Sequence, residues 1–402
     1  MKTDSLKLIN IGNIVTYNTD LKSMVSLGQN EIIISDGKIL EIGENLSDSY
    51  KVFDCKNKLV TPGFIDCHTH PVFIDERENE FEMRTKGFSY EDIANKGGGI
   101  NYSVDGVRNS TEDELINRVS LRMDDFLRLG TTTVEAKSGY GLNLESELKS
   151  LKVLHEVGSN HNIDIIPTFM GAHAIPPEYK NDPEGYVDLL CDVIIPNVSK
   201  QGIAVFNDVF CEQGYFNVEQ SERILTKGLE FGLIPRIHAD EFNNLGGSKM
   251  ASKINCVSAD HLMNINNDDI HHMVASNVKA VLLPGTTFFL GHSNYAPYSK
   301  LKESGIEIAI ATDYNPGSCN IQSMVFIIAL SSIYMNMDIL DAICSSTYVP
   351  AQVLDISEQC GSIEVGKNAD IIVWDINDPI QIPYKFSTNP ISSVIKSGNI
   401  IF

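Results

Sequence analysis

Through the middle of the chain, short and nearly continuous apolar runs alternate with longer stretches of helical character. The runs are VTPGFIDCHTH (60–70), TTTVEAKSGY (131–140), IDIIPTFMGAH (163–173), FNDVFCE (206–212), LIPRIHADE (233–241), INCVSADH (254–261), VKAVLLPG (278–285) and IEIAIATDYNPG (306–317). Between them lie segments such as ESELKSLKVLHEVGSN (145–160) and NVEQSERILTKGLEFG (217–232), which read as helices. Strands that are apolar on both faces and alternate with helices imply a parallel sheet covered on both sides. Eight such units predict a closed (β/α)₈ barrel, an α/β fold. The rival, a doubly wound open sheet, usually carries a Gly-rich dinucleotide loop after its first strand, and none is present. The ends of the chain read differently. EIIISDGKILEIG (31–43) is a β-hairpin with Asp36-Gly37 at its turn, and GSIEVGKNADIIVWDI (361–376) and SSVIKSGNIIF (392–402) are short β runs. The two ends, 1–60 and 358–402, are expected to pair into one small β domain beside a barrel domain spanning 61–357.

The length of 402 residues holds one barrel of about 250 residues with room for that smaller unit. Charge narrows the partners. Lys plus Arg number 31 and Asp plus Glu 53, a formal net charge of -22. That balance argues against nucleic acid and against an anionic membrane surface, both of which need a basic footprint. It would also repel an anionic substrate at long range, so such a substrate requires a local cationic pocket. No stretch approaches the roughly 20 apolar residues of a membrane span. The first 18 residues lack a signal-peptide core. The eight cysteines are scattered without a CxxC pair and read as buried thiols of a reducing cytosol, so a cytoplasmic protein is expected.

Catalytic groups of such a barrel gather at the C-terminal ends of its strands. Here those ends carry His68, His70, Tyr140, His173, His238, Glu241, His261 and Asp313. His68 and His70 are two apart, and positions i and i+2 of a strand point to the same face. A lone HxH is weak evidence, but His238 and Asp313 end other strands. Three imidazoles and a carboxylate make an N/O set suited to zinc or Fe(II), with a position left for water. His261 and Glu241 suit general acid and base roles beside it. Their rivals are a core histidine bonded to a carbonyl and a solvated loop carboxylate. His155, His161, His271 and His272 belong to helices and their exits and are treated as background.

At these residues the sequence resembles the amidohydrolase superfamily: PGFIDCHTH after an N-terminal β unit, one histidine on each of the fifth and sixth strands, the aspartate on the eighth, and the closing GSIEVGKNADIIVWD. The resemblance implies a TIM barrel with a composite β-sandwich domain. Many members carry a carbamylated lysine after the fourth strand that bridges two metals. The matching run VFNDVFCEQG has no lysine, which implies a single metal ion. Within the superfamily the chain is similar to the imidazolonepropionase family of histidine degradation, through DERENEFEMRTKGFSYEDIANKGGGI (75–100), EAKSGYGL (135–142), TFMGAHAIPPEY (168–179), HADEF (238–242), SADH (258–261) and ATDYNPGS (311–318). That similarity implies hydrolytic opening of 4-imidazolone-5-propanoate to N-formimidoyl-L-glutamate, with one zinc or iron ion per chain. Carried across, His68, His70, His238 and Asp313 are the implied metal ligands. Arg77, Tyr140, His173, Glu241, Asn315, Gly317 and Ser318 are the implied substrate contacts, and Arg77 would pair the propionate. Glu241, His261 or Asp313 would move the proton, a division the residues leave open. A homodimer is also implied. The alternatives are another cyclic amidohydrolase or nucleobase deaminase on the same scaffold, or an inactive barrel used as an interaction platform.

Overall fold

The computed structural model describes residues 5–48, 50–88 and 98–402, so part of the 75–100 motif, residues 89–97, lies outside the described residues. Each of the eight apolar runs contains one strand of a parallel barrel. In chain order these are β6 (Phe64–Asp66), β7 (Thr131–Lys137), β8 (Asp164–Ala172), β9 (Phe206–Cys211), β10 (Ile234–Ala239), β11 (Ser258–His261), β12 (Lys279–Leu282) and β13 (Ile308–Ile310), each hydrogen-bonded to the next. Every residue of β7, β9 and β11 is buried, as expected of strands with helices outside and side chains packed inside. The closing seam between β13 and β6 is a few specific bonds. The Asp313 N–H donates to the His68 carbonyl (3.0 Å) and the His70 N–H to the Tyr314 carbonyl (2.8 Å). Below them the Asp66 carboxylate accepts the N–H (3.2 Å) and hydroxyl (2.5 Å) of Thr312. The seam thus ties the segments bearing His68, His70 and Asp313 directly to each other.

The outer helices start where their sequences supply caps. Asn143 accepts the Ser146 N–H ahead of helix Leu144–Asn160, which buries Leu151, Leu154 and Val157 on one face. Thr111 with Glu114, and Asn217 with Gln220, form capping boxes for helices Glu112–Arg128 and Val218–Glu230. Among the described residues no helix is long and apolar enough to cross a membrane.

The termini build a second sheet from β1 (Ser5–Asn18), β2 (Ser23–Leu27), β3 (Glu31–Ser35), β4 (Lys38–Gly43), β5 (Lys51–Pro62), β14 (Ile371–Trp374), β15 (Ile391–Lys396) and β16 (Asn399–Ile400), in the order β16-β15-β14-β5-β1-β3-β4 with β2 also on β1. The β3–β4 turn sits at Asp36-Gly37, both with positive φ (53° and 77°), as a two-residue hairpin loop requires. β1 pairs with β5 through two register shifts, which let a long strand bend. Leu8, Ile14, Ile32, Val60, Ile371 and Ile395 form the core of this unit. Its far hairpin meets the C-terminal segment again, the Gly37 carbonyl accepting the Ala369 N–H (2.8 Å). Trp374 joins the two units: its Nε1 donates to Thr61 Oγ1 (2.9 Å) and its ring meets Phe64 of β6 edge-on.

Candidate metal centre and active site

The imidazoles of His68, His70 and His238 and the carboxylate of Asp313 converge at the C-terminal mouth of the barrel. His68 Nε2 and His70 Nε2 are 3.3 Å apart, and His70 Nε2 and His238 Nε2 are 3.4 Å apart. Asp313 Oδ1 lies 3.5 Å from His68 Nε2 and 3.3 Å from His70 Nε2. Tautomers are set from behind. His68 Nδ1 faces Asp260 Oδ2 at 2.7 Å and His238 Nδ1 faces Asp208 Oδ1 at 3.0 Å, so each Nδ1–H donates to a carboxylate and each Nε2 keeps its lone pair for the centre. Thr286 Oγ1 donates to Asp313 Oδ2 (2.5 Å) and leaves Oδ1 toward the imidazoles. Ligands about 2.1 Å from a common ion in a tetrahedron are ~3.4 Å from one another, which is the spacing of these four pairs. Burial pushes His68 and His70 well below the usual histidine range. It lowers His238 to about 4 in spite of the neighbouring Asp208. Neutral imidazoles are the form that binds metal. The donor set and its spacing therefore fit a metal ion.

Around this centre, Glu241 and His261 face each other, with His261 Nε2 3.6 Å from Glu241 Oε2. Both are buried, so a solvated loop carboxylate does not describe Glu241, and no hydrogen bond from Nδ1 to a carbonyl marks His261 as a core histidine. His261 Nδ1 is buried with no hydrogen-bond partner, and burial lowers this imidazole to about 3. Burial, reinforced by the charges of Asp313 and Glu212, raises Glu241 well above the usual carboxylate range. Its segment is held by Glu212, which accepts the N–H groups of Phe242 (2.8 Å) and Asn243 (3.1 Å).

Tyr140 and His173 form one wall. The His173 ring stacks on His70 at 5.1 Å, with the Tyr140 ring 5.2 Å from His173. Their loop is clamped from both sides. The buried Glu147 carboxylate accepts the N–H groups of Gly139 (3.2 Å), Gly141 (2.8 Å) and Leu142 (2.9 Å). Arg108 donates to the carbonyls of Gly141 (2.7 Å) and Leu142 (3.1 Å). Arg77 immediately precedes the helix Glu78–Thr85 and lies close enough to Tyr140 and His173 to act on both electrostatically. It is half-buried, with its side chain only 9% exposed, rather than part of an exposed charged face. Its Nε and Nη2 donate to Glu80 (2.8 and 2.7 Å), so this edge of the fork is already engaged. The guanidinium lies against Gly317, where a Cβ would come 2.4 Å from Nη1. Asn315 spends its amide on its own loop, accepting the N–H groups of Gly317 (2.9 Å) and Ser318 (2.7 Å) and donating to the Asp313 carbonyl (2.7 Å). The structure thus brings every residue singled out from sequence to one mouth of the barrel.

Several contributors are absent from the sequence reading. Glu135, Lys137, Asp208, Arg236 and Asp260 form a fully buried ionic layer beneath the imidazoles. Their signal is present in hindsight: a charged residue inside an otherwise apolar strand (TVEAK, FND, PRIHA, SAD) must point into the barrel and find partners there. Arg84, which donates to the Gly317 carbonyl (2.9 Å), sits in a charged run with no such signal.

The Amidohydrolase family matches residues 237–401. Imidazolonepropionase of Brevibacillus brevis is 44% identical over 379 residues, covering 92% of this chain and 89% of its own. Imidazolonepropionase of Clostridium tetani is 39% identical and covers 100% of this chain and 99% of its own. Among solved structures, a triazine hydrolase from Arthobacter aurescens superimposes with a TM-score of 0.78 at 16% identity, covering 99% of this chain and 94% of that one, a likeness of fold alone. With its identity to these relatives sustained over nearly its whole length, the chain belongs to the imidazolonepropionase family of amidohydrolases.

Proposed function

We propose that the protein opens the ring of 4-imidazolone-5-propanoate by hydrolysis of a C–N bond, giving N-formimidoyl-L-glutamate in histidine degradation. The observation that carries this is the meeting of three Nε2 atoms and Asp313 Oδ1 at 3.3–3.5 Å beside the Glu241–His261 pair, with Arg77 on the adjoining wall. His68, His70, His238 and Asp313 would hold one zinc or iron ion. Bound there, the ion would polarise a water and lower its pKa to about 7. Glu241, His261 and Asp313 are the groups within reach to take that water's proton and return it to the departing ring nitrogen. Tyr140 and His173 orient the ring between the two walls. Arg77, with the loop of Asn315, Gly317 and Ser318, receives the propionate and supplies the local cation that a chain of net charge -22 needs for an anionic substrate. The barrel at 61–357, the composite domain at 1–60 and 358–402, a cytoplasmic location suited to eight free thiols, and a homodimer complete the proposal.

The test is hydrolysis of imidazolonepropionate by metal-replete protein, followed through loss of the ring's ultraviolet absorbance. Turnover of nucleobases or other cyclic amides in preference to it would reassign the substrate while leaving the metal chemistry in place.

A further inference from the structure

We infer that Arg236 is a positioning residue for the metal ligands, acting through Asp260 and Asp208. Arg236 and His238 are two apart on β10 and point to the same interior face, with Arg236 one layer deeper. Its Nη2 donates to Asp260 Oδ2 at 2.6 Å, the same oxygen that lies 2.7 Å from His68 Nδ1. The same nitrogen donates to the carbonyl of Cys67 (2.9 Å), the residue immediately before His68. One guanidinium thus holds both the backbone and the hydrogen-bond acceptor of a single ligand. On its other side Arg236 Nε lies 3.7 Å from Asp208 Oδ2, and Arg236 and Asp208 are paired in register across β9 and β10. Asp208 accepts from His238 Nδ1. Lys137 bridges Glu135 (2.7 Å) and Asp208 (2.9 Å), and Ser258 Oγ donates to Asp260 Oδ1 (2.6 Å).

A purely structural role explains this layer poorly. Burying five charges is costly, and buried ion pairs are seldom more stabilising than apolar side chains of the same volume. The layer also fails to neutralise itself: Glu135, Asp208 and Asp260 carry three negative charges against two positive ones on Lys137 and Arg236. By formal charge the layer is negative by one, and its carboxylates Asp260 and Asp208 sit directly behind His68 and His238, which favours a cation in front of those imidazoles. Carboxylates behind ligating imidazoles fix tautomer and ring orientation and raise ligand basicity. Arg236 holds Asp260 by a direct hydrogen bond and faces Asp208 as a longer ion pair, so it borders both carboxylates that orient the ligand imidazoles.

The inference rests on the metal reading above, and the experiment separates the two. Metal-free wild type, Arg236→Lys and Asp260→Asn are titrated with zinc against a chromogenic chelator, and the visible spectrum of each cobalt(II) form is recorded. Each variant should bind zinc about 10- to 100-fold more weakly than wild type, with altered cobalt bands. Lys396→Met is the control. It removes a buried lysine of β15 that pairs Asp370 (2.9 Å) ahead of β14 and Asp164 (2.6 Å) at the start of barrel strand β8, the end away from the metal ligands, and it should lower Tm without changing zinc affinity. The inference is overturned if folded Arg236→Lys and Asp260→Asn bind zinc as wild type does with the same cobalt spectrum, or if Lys396→Met weakens zinc equally. If wild type itself binds no zinc, the metal reading fails instead. Should both site variants fail to fold, Ser258→Ala decides. It removes one hydrogen bond to Asp260 and should give a smaller loss of zinc affinity in the same direction; an unchanged affinity overturns the inference.

Discussion

Gly317 offers a sharp test of the substrate pocket, because its missing side chain is what admits Arg77. A Cβ at position 317 would lie 2.4 Å from Arg77 Nη1, 2.6 Å from Cζ and 2.9 Å from Nη2. Ordinary contact between such atoms is about 3.5 Å, so the guanidinium must retreat by about 1 Å. It cannot do so freely, since Glu80 holds its Nε and Nη2. No left-handed backbone conformation is required at Gly317, so alanine there introduces a steric change and not a conformational one. A charge-assisted hydrogen bond to a carboxylate contributes about 1.5–3 kcal/mol. If Gly317→Ala withdraws Arg77 from the propionate, kcat/KM should fall about 10- to 150-fold. The loss should appear mainly in KM, because the propionate is remote from the bond that breaks. Arg77→Ala should cost a similar amount.

The decisive measurement is the double variant. With Arg77 shortened to alanine nothing remains for the new methyl to displace, so adding Gly317→Ala should cost no more than about 0.5 kcal/mol further, well short of additivity. The assay is initial rate against imidazolonepropionate concentration, read from the ring's ultraviolet absorbance. A substrate analogue lacking the carboxylate should be poor for wild type and nearly indifferent to all three variants. Strict additivity, or equal losses on both compounds, would refute the argument and make Arg77 a structural residue of its loop.

Glu241→Gln keeps shape but loses charge and basicity, so kcat should fall about 10²–10⁴-fold while substrate still binds; near-normal kcat would move the base to His261 or Asp313. A strong chelator should abolish turnover and zinc or Fe(II) should restore it, with metal analysis giving one ion per chain, since two tightly bound ions would contradict the absence of a bridging lysine after β9. Trp374→Ala removes a fully buried ring and its bond to Thr61, and should destabilise the protein by about 3–5 kcal/mol, seen as a lower denaturant midpoint.

The barrel and the placing of His68 and His70 on one face were legible in the sequence because both rest on simple periods. Alternation of two places His68 and His70 on one face, and apolar runs separated by helices announce parallel strands. The orienting groups were not legible, for a physical reason. Asp208 and Asp260 are single acidic residues whose partners are distant in sequence: 30 residues separate Asp208 from His238, and 192 separate Asp260 from His68. Only the register of neighbouring strands brings them together. Glu147 is hidden in a similar way. It occupies the first turn of a helix, where acids are common for dipole reasons, and nothing local reveals that it accepts three backbone N–H groups of the Tyr140 loop.

Asp260 and His261 pose a geometric problem that alternation alone cannot solve. They are adjacent on β11, so in a regular strand their side chains would point to opposite sides of the sheet. Yet Asp260 reaches His68 from inside the barrel, and His261 reaches Glu241 at its mouth. The backbone resolves this at His261, where φ is +80°, a left-handed conformation that non-glycine residues seldom adopt. Asp313 does the same after β13, with φ of +54°, turning its carboxylate back toward the histidines. Such residues cost of order 1–3 kcal/mol each and persist only where the surroundings over-determine them. Here they do: Asp313 is pinned by its N–H on the His68 carbonyl, by Asn315 on its own carbonyl and by Thr286 on its carboxylate, while the N–H of Leu262 is tied to the Ala239 carbonyl. Glycine at either position would relieve the strain but delete a functional side chain. At His261 the strain is therefore the cost of placing consecutive residues of one strand in two layers of the same site, held by the Leu262–Ala239 bond between β11 and β10, and at Asp313 the β13–β6 seam bears it.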